Sequence, residues 1–327
     1  MHHEKKYKAR MRLCPVMSLS IFLFLFTIND VLHTETEKSV TKGIYYLILS
    51  SLCFALMGVC VRKAGDVPFI QKTFFRNSIA FIIAFIILIK EYRDNRAVIS
   101  LPRGAFTYLL LRALTGTIGL FGNFYALDKI NIADAAILNK MAPFFTIIFS
   151  KFLLGEKIAA IPFAAICGAL CGALFIIKPS FNFSAMVPSL IGFAGGIGAG
   201  FAYTCVRKLG TMRVSSSVIV AFFSAFSSLL ALPFLIFSYC PMAAFQLLSL
   251  LAAGVAAAGG QFFVTMAYRL APASKIGIFD YSQILFSSLL GYIAFAQVPD
   301  AMSFCGYVII IAMAIVVFLY NKKHAEI

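Results

Sequence analysis

The stretch YALDKINIADAAILNKMAPFFTIIFSKFLLGEK, residues 125–157, recurs in altered form 141 residues later. Residues 266–299 read MAYRLAPASKIGIFDYSQILFSSLLGYIAFAQVP and align with it without gaps. Each copy has an apolar segment ending in Ala, a short polar loop and a long apolar segment. That last segment ends in an acidic residue in the first copy, Glu156, and in an amide in the second, Gln297. The shared pattern predicts an internal repeat.

The apolar runs around this repeat are long enough to cross a bilayer, which takes about 20 residues per helix. They fall into two sets of five. We predict spans at 43–61, 68–89, 105–127, 132–154 and 160–177, and at 187–206, 216–238, 247–268, 274–296 and 302–320. Because five is an odd number, the two sets would enter the membrane in opposite orientations. The sequence therefore predicts an all-α polytopic membrane protein of ten helices, built as two inverted five-helix repeats.

The composition excludes a soluble domain. Of 327 residues 61% are apolar and 13% charged, whereas soluble domains have about 45–50% and 25%. Lys and Arg number 28 against 13 Asp and Glu. In a membrane protein this surplus of basic residues indicates basic cytoplasmic loops. We therefore do not expect a nucleic acid as a partner.

The basic residues also orient the spans. If the segment before the first span is cytoplasmic, fourteen Lys or Arg lie inside and five outside, so both ends of the ten-span unit are predicted to be cytoplasmic, in the cell (inner or plasma) membrane. Residues 1–42 do not fit this scheme, and we interpret them as a signal-like extension or a mis-assigned start. The predicted units are 1–42, 43–178 and 187–320, followed by a tail at 321–327.

Three segments carry a family resemblance: RALTGTIGLFGNFYAL from residue 112, LNKMAPFFTIIFSKFLLGEK from 138 and GQFFVTMAYRLAPASKIGIFDYSQILFSSLLGYIAF from 260. They resemble the drug/metabolite transporter superfamily, specifically its EamA-type members, over about residues 43–320. The resemblance implies ten helices in two inverted repeats, with small metabolites crossing through a central cavity. Members of the family export amino acids or other metabolites, and some import them. Gln297 departs from the Glu that the family commonly has there.

Ionisable groups inside spans are costly, so each is a candidate functional residue. Lys140 lies near the middle of the fourth span, and Arg76 and Arg112 lie seven or eight residues into the second and third. We expect Lys140 and Arg112 to contact an anionic group of the substrate. The alternative for the two arginines is that they extend toward headgroups or cap neighbouring helices.

The repeat register aligns Asn139 with Asp280 and Lys140 with Tyr281. These four positions lie at matching depths of matching helices, so we expect them to face a shared centre. There Asp280 would bind a cationic group or a proton.

Neutral polar residues complete the candidate substrate site: Asn123 and Tyr125 in the third span, and Gln261 in the eighth. Interhelical hydrogen bonding is the alternative role of the two amides. Glu156 and Lys157 lie at a cytoplasmic turn, where a helix-end ion pair or a gate contact is expected.

Small residues and a proline predict how the helices pack. Gly192, Gly196 and Gly200 share one face of the sixth span and favour close helix packing. Pro143 removes a backbone hydrogen bond from the fourth span and predicts a kink. Its repeat partner is Ile284, so we expect the two halves not to bend alike.

The pattern as a whole favours a secondary transporter that moves a small polar metabolite, an amino acid or organic anion, by alternating access, with export favoured and protons as a candidate coupling ion. The alternative is a lipid or polyprenyl-carrier translocase of the same fold. An enzyme is disfavoured because no paired-carboxylate or HExxH motif occurs, and an ATP-driven pump because no GxxxxGK[ST] loop occurs. No cofactor or metal is expected, and the sequence leaves homo-oligomerisation open.

Overall fold

The computed structural model describes residues 35–130, 132–177, 186–237, 239–296 and 299–324. Within these residues ten helical segments are long and apolar enough to cross a membrane. The segments are α1 Glu35–Lys63, α2 Phe69–Asp94, α3 Ala105–Lys129, α4a Ile132–Asn139 with α4b Ala142–Leu154, α5 Ala160–Ile177, α6 Met186–Thr211, α7 Ser216–Phe237, α8 Ala244–Leu270, α9a Ala273–Ile276 with α9b Ser282–Phe295, and α10 Ala301–Lys323. The fold prediction of a ten-helix polytopic protein is confirmed, while the predictions for residues 1–34, Gln297 and 325–327 lie outside the described residues.

Short polar or glycine-containing turns end the helices. Gly155 adopts a left-handed conformation (φ 68°, ψ 18°) after α4b, which glycine does without steric cost. Asp300 caps α10 by accepting a hydrogen bond from the Ser303 backbone N–H at 3.0 Å. A four-residue 3₁₀ helix, Arg96–Ile99, connects α2 to α3. These connections leave only a few residues between most neighbouring spans.

The helix pairing is symmetrical under exchange of the two halves. α3 packs most extensively on α6, and α8, its counterpart, packs on α1. α2 and its counterpart α7 pack on each other, as do α5 and α10. This arrangement is consistent with the predicted inverted repeat.

Large apolar side chains cover the outside of the bundle. Phe152, Phe237 and Ile293 are 79%, 87% and 68% exposed. Large exposed apolar side chains mark a protein or membrane contact, and on a polytopic membrane protein they are expected to face lipid.

The fourth and ninth spans are both interrupted, at residues 140–141 and 277–281 respectively. α4a ends at Asn139 and α4b begins at Ala142, with Pro143 in its first turn. In the ninth span a 3₁₀ helix, Gly277–Tyr281, separates α9a from α9b. The interruption at Pro143 agrees with the predicted kink. The ninth span also departs from α-helix at the equivalent depth, although it has no proline there. Both halves therefore contain a helix break, and the two breaks differ only in form.

The glycine face of α6 packs against the broken fourth span. A Cβ at Gly192 would lie 2.9 Å from Leu138 Cδ1, and one at Gly200 would lie 2.6 Å from Phe145 Cβ. A Cβ at Gly196 would overlap the backbone carbonyl oxygen of Leu138, just before the break. The close approach predicted for this face is therefore present, and it holds α6 directly beside the break.

We expect Gly196→Ala to destabilise the protein by about 1–3 kcal/mol, because the new methyl group must displace backbone and not a flexible side chain. Thermal unfolding in detergent would measure the loss. Gly58→Ala is the matched control, since a Cβ there meets nothing within 4 Å. Equal melting temperatures for the two variants would show that α6 and α4 are loosely packed.

Candidate functional site

The two helix breaks bring Lys140 and Asp280 together in the interior. Lys140 Nζ lies 2.9 Å from Asp280 Oδ2 and 2.7 Å from Gln283 Oε1, and it also donates to the Asp280 carbonyl oxygen at 3.2 Å. The two side chains are only 6% and 12% exposed. Tyr281 donates its hydroxyl to the Lys140 carbonyl oxygen at 3.0 Å, which satisfies a carbonyl group at the break. Each broken helix therefore contributes one charged side chain to the ion pair. Each also offers a backbone carbonyl oxygen that accepts a hydrogen bond from a side chain of the other helix.

Arg112 lies on α3 and is 3% exposed. Its Nη2 donates to Gln261 Oε1 at 3.1 Å, and its guanidinium carbon lies 4.0 Å from the centre of the Phe223 ring. Its Nε has no hydrogen-bond partner within the described part of the chain. Neutral groups from α8 and α7 therefore hold this charge in place.

Arg76 lies on α2 and is 4% exposed. Its Nε donates to the Met57 sulfur at 3.2 Å and its Nη1 to Asn77 Oδ1 at 3.0 Å. The Phe54 ring lies 6.0 Å from the guanidinium carbon. As with Arg112, each of these contacts is to a neutral group.

Tyr203 on α6 lies within electrostatic range of Arg76, Arg112 and Asp280. Its ring stacks on Tyr268 of α8 with centroids 5.0 Å apart. These groups form what we call the central cluster, in which Tyr203 is half-buried and the charged members are buried: Arg76, Arg112, Lys140, Tyr203 and Asp280.

The central cluster contains more cations than anions. Asp280 pairs with Lys140, but neither Arg76 nor Arg112 has a carboxylate at ion-pairing distance among the side chains that the structure describes. Moving an unpaired charge out of water costs several kcal/mol. The arrangement is therefore suited to binding an anion.

The sequence-based hypothesis gave Lys140 and Asp280 separate ligands, and the structure pairs them with each other. The positive charge of Lys140 is thus already balanced, and the cations without an acid partner are the two arginines. The snorkelling alternative does not describe either arginine in this structure, because both guanidinium groups are buried against other helices.

Three candidates make no hydrogen bond to a member of the central cluster within the described residues. Tyr125 packs edge-on against Phe69, with ring centroids 6.3 Å apart. Asn123 is half-buried at the α3–α6 crossing, where its backbone nitrogen would lie 3.2 Å from a Cβ at Gly195. Asn139 is half-buried at the end of α4a, and its side chain makes no hydrogen bond within the described residues. Their predicted substrate contacts stay predictions.

Glu156 joins several helix ends at one end of the bundle. Its Oε1 accepts a hydrogen bond from Arg207 Nε at 2.8 Å, and Arg207 Nη1 donates to the Arg269 carbonyl oxygen at 3.1 Å. Arg269 in turn donates to Ser216 Oγ. We call these four residues the helix-end network; it links the ends of α4b, α6, α8 and the start of α7. Lys157 is exposed, and its side chain makes no hydrogen bond or ion pair to this network within the described residues.

Several residues of the site were not predicted from the sequence. Gln283 follows Asp280 by three residues in the same apolar span. An amide about one helical turn away could therefore have been predicted to lie beside Asp280. Tyr203, Phe223 and Arg207 gave no such signal, because only tertiary packing brings their helices to the site.

Comparisons with known proteins agree with this architecture. The sequence profile of the EamA-like transporter family matches residues 41–178, close to the first predicted repeat. A crystal structure of another protein superposes with a TM-score of 0.74 at 19% identity, over 86% of this chain and 98% of that chain. At that identity the likeness concerns the fold alone.

Two curated relatives are named as transporters. The pseudopaline exporter CntI of Pseudomonas aeruginosa is 31% identical over 276 residues, which cover 84% of this chain and 95% of the exporter. The riboflavin transporter of Vibrio cholerae is 25% identical over 296 residues, 87% of this chain and 95% of that protein. The identity and coverage of the first relative, together with the matching profile, place this chain in the EamA-like transporter family.

Proposed function

We propose that this protein is a secondary transporter that exports a small anionic metabolite, such as an organic acid or an acidic amino acid, by alternating access. The observation that carries the proposal is the pair of buried arginines that lack carboxylate partners among the described residues. A carboxylate matches the guanidinium group in geometry and charge, so a bound anion would supply the missing compensation. The name of the relative CntI supports outward transport.

The helix breaks suit alternating access. The Lys140–Asp280 pair joins α4 and α9, which are counterparts in the two predicted repeats, so rocking of one half against the other would act on this contact. The helix-end network lies at the end of the bundle predicted to face the cytoplasm, where it would act as a gate. Entry from that side would require the Glu156–Arg207 contact to open.

The positive-inside distribution supports an orientation with both ends of the ten-span unit in the cytoplasm, and we propose the plasma membrane as the location. In this orientation the export route begins at the helix-end network, crosses the central cluster and leaves on the opposite side.

Counterflow in proteoliposomes tests the proposal. Vesicles containing the wild-type protein are preloaded with a pooled metabolite panel, and uptake of labelled members is compared with uptake by protein-free vesicles. We expect exchange of carboxylate-bearing solutes and none of neutral or cationic solutes. Exchange restricted to neutral or cationic solutes would contradict the anion site, and exchange of none by folded protein would favour the lipid-carrier alternative.

A further inference from the structure

Two of the positive charges in the central cluster have no acidic residue within the cluster to balance them. Arg76, Arg112 and Lys140 are cations, and Asp280 is the single acid among the described members. The Lys140–Asp280 contact at 2.9 Å uses that acid. Arg76 and Arg112 also lie within electrostatic range of each other, so each makes the other's charge more costly to bury.

The groups that accept hydrogen bonds from the two arginines are neutral, so an anion could replace them. Arg112 donates to an amide oxygen and Arg76 to an amide oxygen and a thioether sulfur, and each lies near an aromatic ring. Such contacts satisfy N–H groups without neutralising charge. A carboxylate makes shorter, charge-assisted and often bidentate hydrogen bonds with arginine, so it would displace these neutral acceptors.

From this balance we propose that the transported solute carries at least two negative charges, as a dicarboxylate does, and places one anionic group on Arg76 and one on Arg112 while Lys140 stays paired with Asp280. This inference rests on the proposed function. A monoanion would leave one guanidinium group uncompensated, and the amine of a zwitterion would meet an acid that is already occupied.

The first test measures binding through the melting temperature of the purified protein. The probes are straight-chain dicarboxylates with two to six methylene groups, each compared with its mono-amide, which has nearly the same shape and one charge fewer. We expect the best dicarboxylate to protect at a concentration at least tenfold lower than its mono-amide, because a ligand that binds the native state stabilises it by mass action. Arg76→Gln and Arg112→Gln should each abolish that preference.

The second test needs no ligand. Arg76→Met and Arg112→Met remove the uncompensated charge and keep a long side chain, so we expect each to raise the melting temperature of the ligand-free protein by roughly 2–4 °C. Arg103→Met is the matched control, because Arg103 is exposed and the change should leave the melting temperature unaltered. A structural arginine would show the opposite sign.

Two outcomes separate the inference from the proposed function. Equal protection by dicarboxylates and mono-amides, lost in the glutamine variants, overturns the two-charge inference and leaves an anion transporter. Lower melting temperatures in both methionine variants likewise overturn the inference, whatever the ligands do. Counterflow restricted to neutral or cationic solutes would remove the proposed function itself.

Discussion

Replacing Lys140 by alanine is expected to lower the free energy of unfolding by about 3–5 kcal/mol, because it leaves the carboxylate of Asp280 buried without its cation. Lys140 also donates to the half-buried Gln283 side chain and to the Asp280 carbonyl oxygen, so the change removes these two hydrogen bonds as well. Thermal unfolding of the purified protein, or unfolding in a detergent mixture, would measure the loss.

The double variant Lys140→Ala/Asp280→Ala separates charge balance from packing. Removing both partners removes the uncompensated charge, so the double variant should be more stable than the single Lys140→Ala variant. Lys151→Ala is the control, since Lys151 is an exposed lysine on α4b. A double variant that loses as much stability as the sum of the two single changes would show that the pair is not coupled.

Arg112→Gln is expected to reduce counterflow of the carboxylate-bearing substrate by roughly 10- to 100-fold. A hydrogen bond to a charged group contributes about 1.5–3 kcal/mol, and every 1.4 kcal/mol or so corresponds to a factor of ten. Glutamine keeps a polar group near Gln261 and removes the charge, so folding should be preserved while anion binding is lost.

Arg103→Gln is the matched control for this experiment, because it removes the same charge from an exposed position. Transport by folded Arg112→Gln protein at the wild-type rate would show that Arg112 acts only in packing against Phe223 and Gln261. Arg76→Gln should behave as Arg112→Gln does.

The spans were predictable because hydrophobic length is a property of the sequence alone. α5 begins and ends where the apolar run does, at Ala160 and Ile177. The meeting of Lys140 with residues 280 and 281 was predictable from the repeat register, since equivalent depths of equivalent helices approach the same centre.

The side-chain pairing was not predictable from the sequence. That Lys140 contacts Asp280, and not a free ligand, depends on the two helix breaks and on rotamers that only packing decides. The break between α9a and α9b contains no proline that would predict it. Arg207 reaches Glu156 only because α6 ends beside α4b. Which segments form membrane-spanning helices follows from their composition, whereas the contacts between helices follow from the tertiary structure.

The division of charges between the two halves has a consequence for synthesis of the chain. Arg76, Arg112 and Lys140 all belong to the first five spans, and Asp280 belongs to the ninth, 140 residues after Lys140. At typical translation rates those residues take roughly ten to thirty seconds to emerge. Throughout that interval the fourth span holds its ammonium group in or beside the bilayer without Asp280, its native counter-ion. The first half is therefore a nascent intermediate that depends on water, lipid headgroups or the insertion machinery until the second half arrives.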